Sequence, residues 1–500
     1  MGEKRIHGKL EEDSAREFTR AILNDLNALE RMITDGLIED GIRRVGAEQE
    51  MALVDRRGCA APVAQGMMQI LHDDPRFQTE VALFNLEANL DPQTLGGPFL
   101  RHLEHELNDV LTAARRAASD IEADVVLTGI LPSLRRSDVT RDNLTPEPRY
   151  ALLDTVSLAA QDGEIRIAVD GLDRFEGRFD TVVVEGVNTS LQLHLQVNVG
   201  DAARLYNLAQ LITAPLLAAS TNSPVIMGKR IWHETRVAVF ERALDDRTGS
   251  KLGRGVPTRV GFGSSWLQDS LVELFKDNIA RFPIIMTREI ETDPMQELDR
   301  GEIPKLKALN LHNGTVWRWN RPCFGLTDGV PHLRIENRIL PAGPTVLDEV
   351  ANSALFYGLI VGLDDSYGEV KERLQFSQAR ENFIASAHYG LDARYTWLDG
   401  RRTGARELLL GELLPAARKG LASIAVPDED IDRYIGVVEQ RVESGRTGSS
   451  WLMEGLSEVP EDERPALSRH AVSLMLERQQ ADAGVHEWPH LRALESDQES

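Results

Sequence analysis

Residues 331–340 read PHLRIENRIL. Side chains of a β-strand alternate between two faces. Leu333, Ile335 and Ile339 fall on one face, with Asn337 their one polar companion. His332, Arg334, Glu336 and Arg338 fall on the other. One carboxylate is thus set between two guanidiniums on a single pleated surface. A solvated strand can look the same. The stretch becomes decisive because three further predicted strands share its asymmetry.

The first is Arg43–Asp55, RRVGAEQEMALVD, with Ala47, Met51 and Leu53 on one face and Glu48, Glu50 and Val54 on the other. The second is Glu80–Leu90, EVALFNLEANL, where Glu87 and Asn89 share a face. The third is Thr189–Val199, TSLQLHLQVNV. Its odd positions are all aliphatic after Thr189; its even positions are Ser190, Gln192, His194, Gln196 and Asn198. An uncharged polar face opposite continuous aliphatics reads as the lining of a cavity. The four strands therefore predict one polar cavity walled by sheet.

Helical periodicity fills the space between them. Ser14 and Glu17 form a capping-box pattern ahead of Phe18, Ile22, Leu26, Leu29 and Ile33. Further helices are predicted near Met67–His72, from about Pro98 to Asp120, from an Asp201 cap to Ala219, and over Ser270–Phe282. Thr345 with Asp348 caps a helix over Val346–Leu363. Short strands are predicted at Val125–Leu131, Ile165–Val169, Thr181–Val184 and Thr315–Asn320, with loops at Ser133–Tyr150 and Gly249–Ser265; Leu152–Glu185 as a whole is ambiguous. From Glu369 to Arg478 the pattern is almost wholly helical. The fold class expected is α+β, a curved and mainly antiparallel sheet with surrounding helices and a helical C-terminal third, rather than a doubly wound parallel sheet. The organisation expected is a helical extension over 1–42, a β core with inserted helices over 43–368, and a helical region over 369–500 packed on it, its tail disordered from about 480.

Composition sets outer bounds. The 500 residues are 42% hydrophobic and 27% charged, as in a globular protein. With 56 Lys+Arg against 79 Asp+Glu the net charge is −23, which argues against non-specific nucleic-acid or anionic-membrane binding. Two cysteines, Cys59 and Cys323, make no disulfide framework and fit a reducing, cytoplasmic setting. The N-terminus shows no apolar signal region, and no run is read as long enough to span a bilayer.

If the polar faces converge, Glu48, Glu50, Glu87 and Glu336 meet beside His194. Like charges brought together raise one another's pKa, and a hard divalent cation relieves the repulsion. Such donors suit Mg²⁺ or Mn²⁺, and the one imidazole tips modestly toward Mn²⁺ without excluding Mg²⁺. Arg318, Arg321, Arg334 and Arg338 cluster in sequence, and Arg236 follows Trp232 and His233. Acidic metal ligands beside arginines are what nucleotide-dependent phosphoryl chemistry needs. No GxxxxGK[ST], strand-borne GxGxxG, HExxH or GxSxG motif occurs.

Taken together, GAEQEMALVD, the Glu80 and Glu87 pair in TEVALFNLEANL, LQLHLQVNV, and TVWRWNRP with PHLRIENRIL ahead of a helix resemble the glutamate–cysteine ligase family, of the type 2 or carboxylate–amine ligase kind. ARENFIASAHYGLDA and GRTGSSW look like that family's helical end. The resemblance runs from about Arg43 to Leu456 and implies a glutamine-synthetase-like fold. It implies ATP-dependent ligation, with a carboxylate first phosphorylated, by default the γ-carboxylate of glutamate, and phosphate then displaced by an amine, by default cysteine. Glu48, Glu50, Glu87, His194 and Glu336 match metal ligands, and Arg338 matches the arginine on the transferring phosphoryl. Arg321 and Arg236 are looser catalytic candidates for substrate carboxylate or phosphate; Arg334, Arg318 and Gln192 are expected on the ATP side. Glu80 lies seven residues before Glu87, an odd spacing that needs a bulge or a place off the strand. The expected partners are small-molecule amino acid and amine substrates, with self-association into a homo-oligomer left open. Two other readings stay open: a metal-dependent amide or ester hydrolase, and a non-catalytic ligand-binding relative.

Overall fold

A computed structural model describes residues 12–247, 257–364, 367–481 and 483–491. The chain is organised around β1 (Arg44–Asp55), which meets strands along both of its edges. In chain order the others are β2 (Phe77–Thr79), β3 (Asn85–Asn89), β4 (Gln93–Thr94), β5 (Ala123–Val126), β6 (Ile165–Asp170), β7 (Arg174–Phe179), β8 (Leu191–Val197), β9 (Asn320–Thr327) and β10 (Val330–Asn337). The main sheet runs β9-β10-β8-β1-β3-β2, with β4 and β5 on β1; every pairing is antiparallel. β6 and β7 form a hairpin of their own.

Register follows from burial. Ala47, Met51 and Leu53 of β1, Leu191, Leu193, Leu195 and Val197 of β8, and Leu333 and Ile335 of β10 are all in the core. A one-residue slip would turn these side chains out and the acids in. With this face buried, Glu48 lies opposite Gln192 and Asn89, Glu50 opposite Glu87, and Glu336 between His194 and Arg321.

The helices that matter below are α1 (Glu12–Thr34), α2 (Phe99–Ser119), α3 (Pro148–Ala160), α4 (Ala202–Ser220), α5 (Val346–Asp364), α6 (Phe376–Tyr389), α7 (Leu414–Ser423), α8 (Asp428–Ser444) and α9 (Arg464–Gln480). α5 backs the sheet: Tyr357 donates its hydroxyl to His194 O at 3.0 Å. The Thr345–Asp348 cap is present, with Asp348 N–H donating to Thr345 Oγ1 at 3.1 Å. α5 is also, among the described residues, the one helix long and apolar enough to cross a membrane; 83% of that window is buried inside the protein, as befits a core helix.

Several expectations are corrected. Ser14 lies inside α1, which begins at Glu12. The stretch Glu80–Leu90 is not one strand, since only Asn85–Asn89 is extended and Glu80 sits in the connection after β2. β5 stops at Val126. Thr181–Val184 enters a 3₁₀ turn, Val182–Val187. The loop expected up to Tyr150 gives way to α3 at Pro148, where proline suits a first helical position. Asp201 makes no side-chain cap on α4 and pairs with Arg43 instead. Asn320–Thr327 is a full strand, not a loop beyond a short strand, and Pro322 is accommodated within it. The helical C-terminal third holds a small hairpin, Arg394–Thr396 with Arg402–Gly404. Its tail is ordered where described: Trp488 is buried and packs edge-on against Trp451. Residues 248–256 of the glycine-rich loop and 492–500 of the tail lie outside the described residues.

Candidate active site

Alternation on β1 puts Glu48 and Glu50 on the polar face two residues apart, about 7 Å along the strand. Each carboxylate belongs to a different group. Glu48, His194 and Glu336 bring donor atoms within 4.8 Å of one another, and so do Glu50, Glu80 and Glu87. The single acidic cluster expected from the sequence is therefore two triads side by side. Glu80 reaches the second from the loop after β2, which resolves its odd spacing from Glu87.

The two triads differ in charge balance. Glu336 is pinned by Arg321 at 2.6 Å and Arg338 at 2.5 Å. Burial pushes its pKa up, but Arg321, Arg338 and His194 overcome that and hold it well below the usual range. Glu48 is half-buried, and although desolvation pushes it up, His194, 3.1 Å away, brings it below its ordinary value. The second triad has no such counter-charge in contact. Burial and then Glu80 push Glu50 up to about 7. Burial and then Glu48, Glu80 and Glu50 push Glu87 well above its usual value.

The second triad is held by a scaffold of neutral donors. Glu50 accepts from Ser190 N–H at 2.7 Å, Ser190 Oγ at 3.0 Å and Gln192 Nε2 at 2.7 Å. Glu87 accepts from Gln78 Nε2 and from Asn89 Nδ2 at 3.2 Å. Arg338 donates to Gln192 Oε1 at 2.5 Å and so links the two triads through one amide. Clustered carboxylate oxygens, crowded enough to hold protons, are a donor set that fits a hard divalent cation; the triad with one imidazole fits the same class.

A cavity of about 590 Å³ opens over Glu48, Glu50, Glu80 and Glu87, walled by Arg321 and Arg338. A smaller one of about 190 Å³ lies along the same face and shares Glu48 with it; His194, Gln196, His332, Arg44 and Arg334 line it. The face is thus a trough with one triad at Glu48 and the other at Glu50, two residues along β1. The imidazole of His332 is driven down to about 4 by burial and by Arg334.

Two arginines behave differently from expectation. Arg318 is buried outside the trough, donating to Asn278 Oδ1 at 2.8 Å and to Asp277 at 2.5 Å. It lines a separate cavity of about 140 Å³. Arg236 borders the main cavity but spends its donors on Glu234, Arg338 O and Ile339 O, so it positions the Arg338 backbone. Arg321, Arg334, Gln192, Glu48, Glu50, Glu87 and His194 line the trough, and Glu336 lies buried against Arg321 and Arg338 at its wall.

Other lining residues gave no usable sequence signal. Glu185 and Asn188 come from the 3₁₀ turn and its end, in an apolar run that mimics a strand. Arg149 and Tyr150 come from the start of α3, with the guanidinium 4.4 Å from the ring centre. Tyr150 is fixed by a 2.7 Å bond from its hydroxyl to Thr79 O.

Comparison with known proteins fits this geometry. The model of glutamate–cysteine ligase family 2 matches residues 44–473. Among solved structures, the glutamate–cysteine ligase of Francisella tularensis in complex with AMP aligns with a TM-score of 0.51 at 13% identity, over 92% of this chain and 95% of that one. A bifunctional glutathione synthetase from Pasteurella multocida aligns with a TM-score of 0.50 at 11% identity, over 91% of this chain and 54% of that one. This chain therefore spans about half the length of that second protein. No curated protein matches significantly. At these identities the structural likeness establishes the fold, a curled antiparallel sheet of the glutamine-synthetase-like kind.

Proposed function

Since the chain belongs to glutamate–cysteine ligase family 2, we propose that it is an ATP- and Mg²⁺-dependent carboxylate–amine ligase, with glutamate and cysteine as the default substrates. One observation carries this reading: two metal-fitting triads ride on neighbouring same-face positions of β1, Glu48 and Glu50, and Arg338 ties them together through Glu336 and Gln192. The placement of Arg334, Arg44 and His194 supports assigning the smaller end of the trough to the nucleotide's phosphates. The larger end, beyond Glu50, Glu80 and Glu87, takes the carboxylate and amine substrates.

In the proposed reaction a substrate carboxylate oxygen bonds to the γ-phosphorus of ATP as the bond to the ADP oxygen breaks. The amine nitrogen then bonds to the acyl carbon, phosphate leaves with the C–O bonding pair, and the nitrogen loses a proton. Glu48, His194 and Glu336, and Glu50, Glu80 and Glu87, would hold Mg²⁺, which would supply neutralisation of phosphate charge. This chain's own part is to position and to balance charge. Arg338 and Arg321, oriented by Glu336, face the transferring phosphoryl. Gln192 and Ser190 fix Glu50, and Arg236 fixes the backbone that carries Arg338. The two cysteines, both unpaired and buried, suit a cytoplasmic enzyme of small-molecule metabolism, consistent with glutathione biosynthesis.

The test is phosphate release by purified protein with ATP, Mg²⁺ and a matrix of amino acids against amines. Release only when acid and amine are both present, abolished by EDTA and lowered about 10²–10³-fold in Glu336→Gln, is the expected result. Release that needs no amine would point to hydrolysis, and no turnover under any pairing would overturn the reading.

A further inference from the structure

The larger end of the trough has an apolar flank beside its acids. That flank includes Leu153, Phe240, Met286, Leu311 and Trp317. Two of these, Leu153 and Trp317, also line a second, mainly apolar groove of about 420 Å³. That groove continues over Val156, Ala159 and Ala160 of α3 and across to Leu244 and Ile285. One face of α3 runs through both spaces. Tyr150 and Leu153 face the cavity, while Leu153, Val156 and Ala160 face the groove, the three- and four-residue spacing of one helical stripe. From Tyr150 to Ala160 this stripe is about 15 Å long.

At the head of the stripe sits Glu185. Its turn is packed on α3, where Val182 N–H donates to Asp154 Oδ1 at 2.6 Å. Its carboxyl lines the cavity, forms no ion pair among the described residues, has one oxygen shut off from water without a hydrogen-bond partner, and is pushed up to about 8 by burial and then by Glu80 and Glu50, so an ammonium beside it would supply the counter-charge it lacks. Asn188, three residues on, also lines the cavity with an unpartnered side-chain oxygen. Acceptors left without donors on a cavity wall call for a ligand that brings N–H groups. A protonated amine does so.

We infer that the acceptor is a primary amine with an extended apolar body, its ammonium received at Glu185 and Asn188 and its apolar part laid along Leu153 and Trp317 into the groove on α3. This rests on the ligase reading for the amine's role as acceptor, but the binding site itself does not. It makes Glu185 a specificity-determining residue and assigns cysteine a poor fit, since its short side chain cannot reach Val156.

Calorimetric titration of the purified full chain with ethylamine, hexylamine and phenethylamine tests the site without turnover. Hexylamine and phenethylamine are expected to bind at least about tenfold tighter than ethylamine, because several apolar carbons leave water. Val156→Glu and, as a second position, Ala160→Glu are expected to erase that length preference. Glu185→Gln is expected to weaken all three amines by about tenfold or more; circular dichroism confirms that each variant folds. Equal affinity across the series, or an unchanged preference in folded groove variants, overturns the inference. Phosphate release is scored separately with glutamate and the same amines. Length-dependent binding without any release would sink the ligase reading alone. Release with cysteine, together with flat amine binding, would sink this inference alone.

Discussion

At the scale of single residues, one buried carboxyl carries a clear sign. Glu349 of α5 is fully buried and accepts from Gly343 N–H at 2.6 Å, while its other oxygen has no partner. Gln49, on the apolar side of β1, likewise has an unpartnered side-chain oxygen. Burial pushes Glu349 up to about 8, so the group is protonated at neutral pH, with a hydrogen to offer Gln49. In the unfolded chain it ionises near the ordinary glutamate value. Between those two values the unfolded state binds fewer protons, so stability falls as pH rises toward about 8 and levels off above it. Glu349→Gln mimics the neutral acid and does not titrate. Its melting temperature should match wild type below about pH 4.5 and exceed it at about pH 8, by on the order of a few kcal/mol in stability; no gain at the higher pH would refute the assignment. Alternation alone made Glu48, Glu50, Glu87 and Glu336 legible in the sequence, because parity on a strand is fixed locally. Glu185 and the true place of Arg318 were not legible: both are set by how distant segments pack, and an arginine three residues from a site arginine looks the same in sequence whether or not it faces the site.

At the scale of elements, the tightest contact is between α5 and α7. A Cβ on Gly420 would overlap Gly358 O and Gly362 N, and one on Gly362 would overlap Ala416 O. Backbones that close leave no room for a methyl group. Gly420→Ala should therefore lower the urea midpoint, costing about 1–3 kcal/mol, although glycine to alanine inside a helix ordinarily gains about 0.5–1 kcal/mol. Gly436 of α8 has nothing within 4 Å of such a Cβ, and Gly436→Ala should show the ordinary gain. The same sign for both would mean the close approach of α5 and α7 has no energetic weight. Long periodic elements such as β8 and α5 were readable because one face is continuously apolar. β9 was hidden by Pro322, which suggests a turn, and the 3₁₀ turn by a valine run that a strand would equally prefer.

At the scale of the molecule, the C-terminal third is fastened to the core by buried charge. Arg441 of α8 donates to Asp348 at 2.7 Å, to Asn352 at 2.6 Å and to Ala219 O at 2.9 Å, so α8, α5 and α4 converge on one guanidinium. Asp348 in turn accepts from Val485 N–H at 3.1 Å, and Gln479 of α9 exchanges two hydrogen bonds with the Leu127 backbone. Removing the cation would strand Asp348 without a counter-charge. Arg441→Met should cost about 3–5 kcal/mol, read as a lowered midpoint in denaturant unfolding; a loss under about 1 kcal/mol would show that the attachment is carried by apolar packing instead. The helical character of this third was legible from its periodicity, but its attachment was not, because Arg441 sits in an ordinary amphipathic pattern.

The arrangement of β1 has a consequence for how the gene can vary. Its acids serve two separate triads, yet they ride on the same twelve-residue ribbon, clamped by neighbours along both edges. Losing or gaining a single codon ahead of Glu48 within this ribbon would rotate both carboxylates away together and turn aliphatic side chains into the trough. Lineages of this protein can exchange letters along β1, but they cannot shift its reading by one place and keep either half of the site.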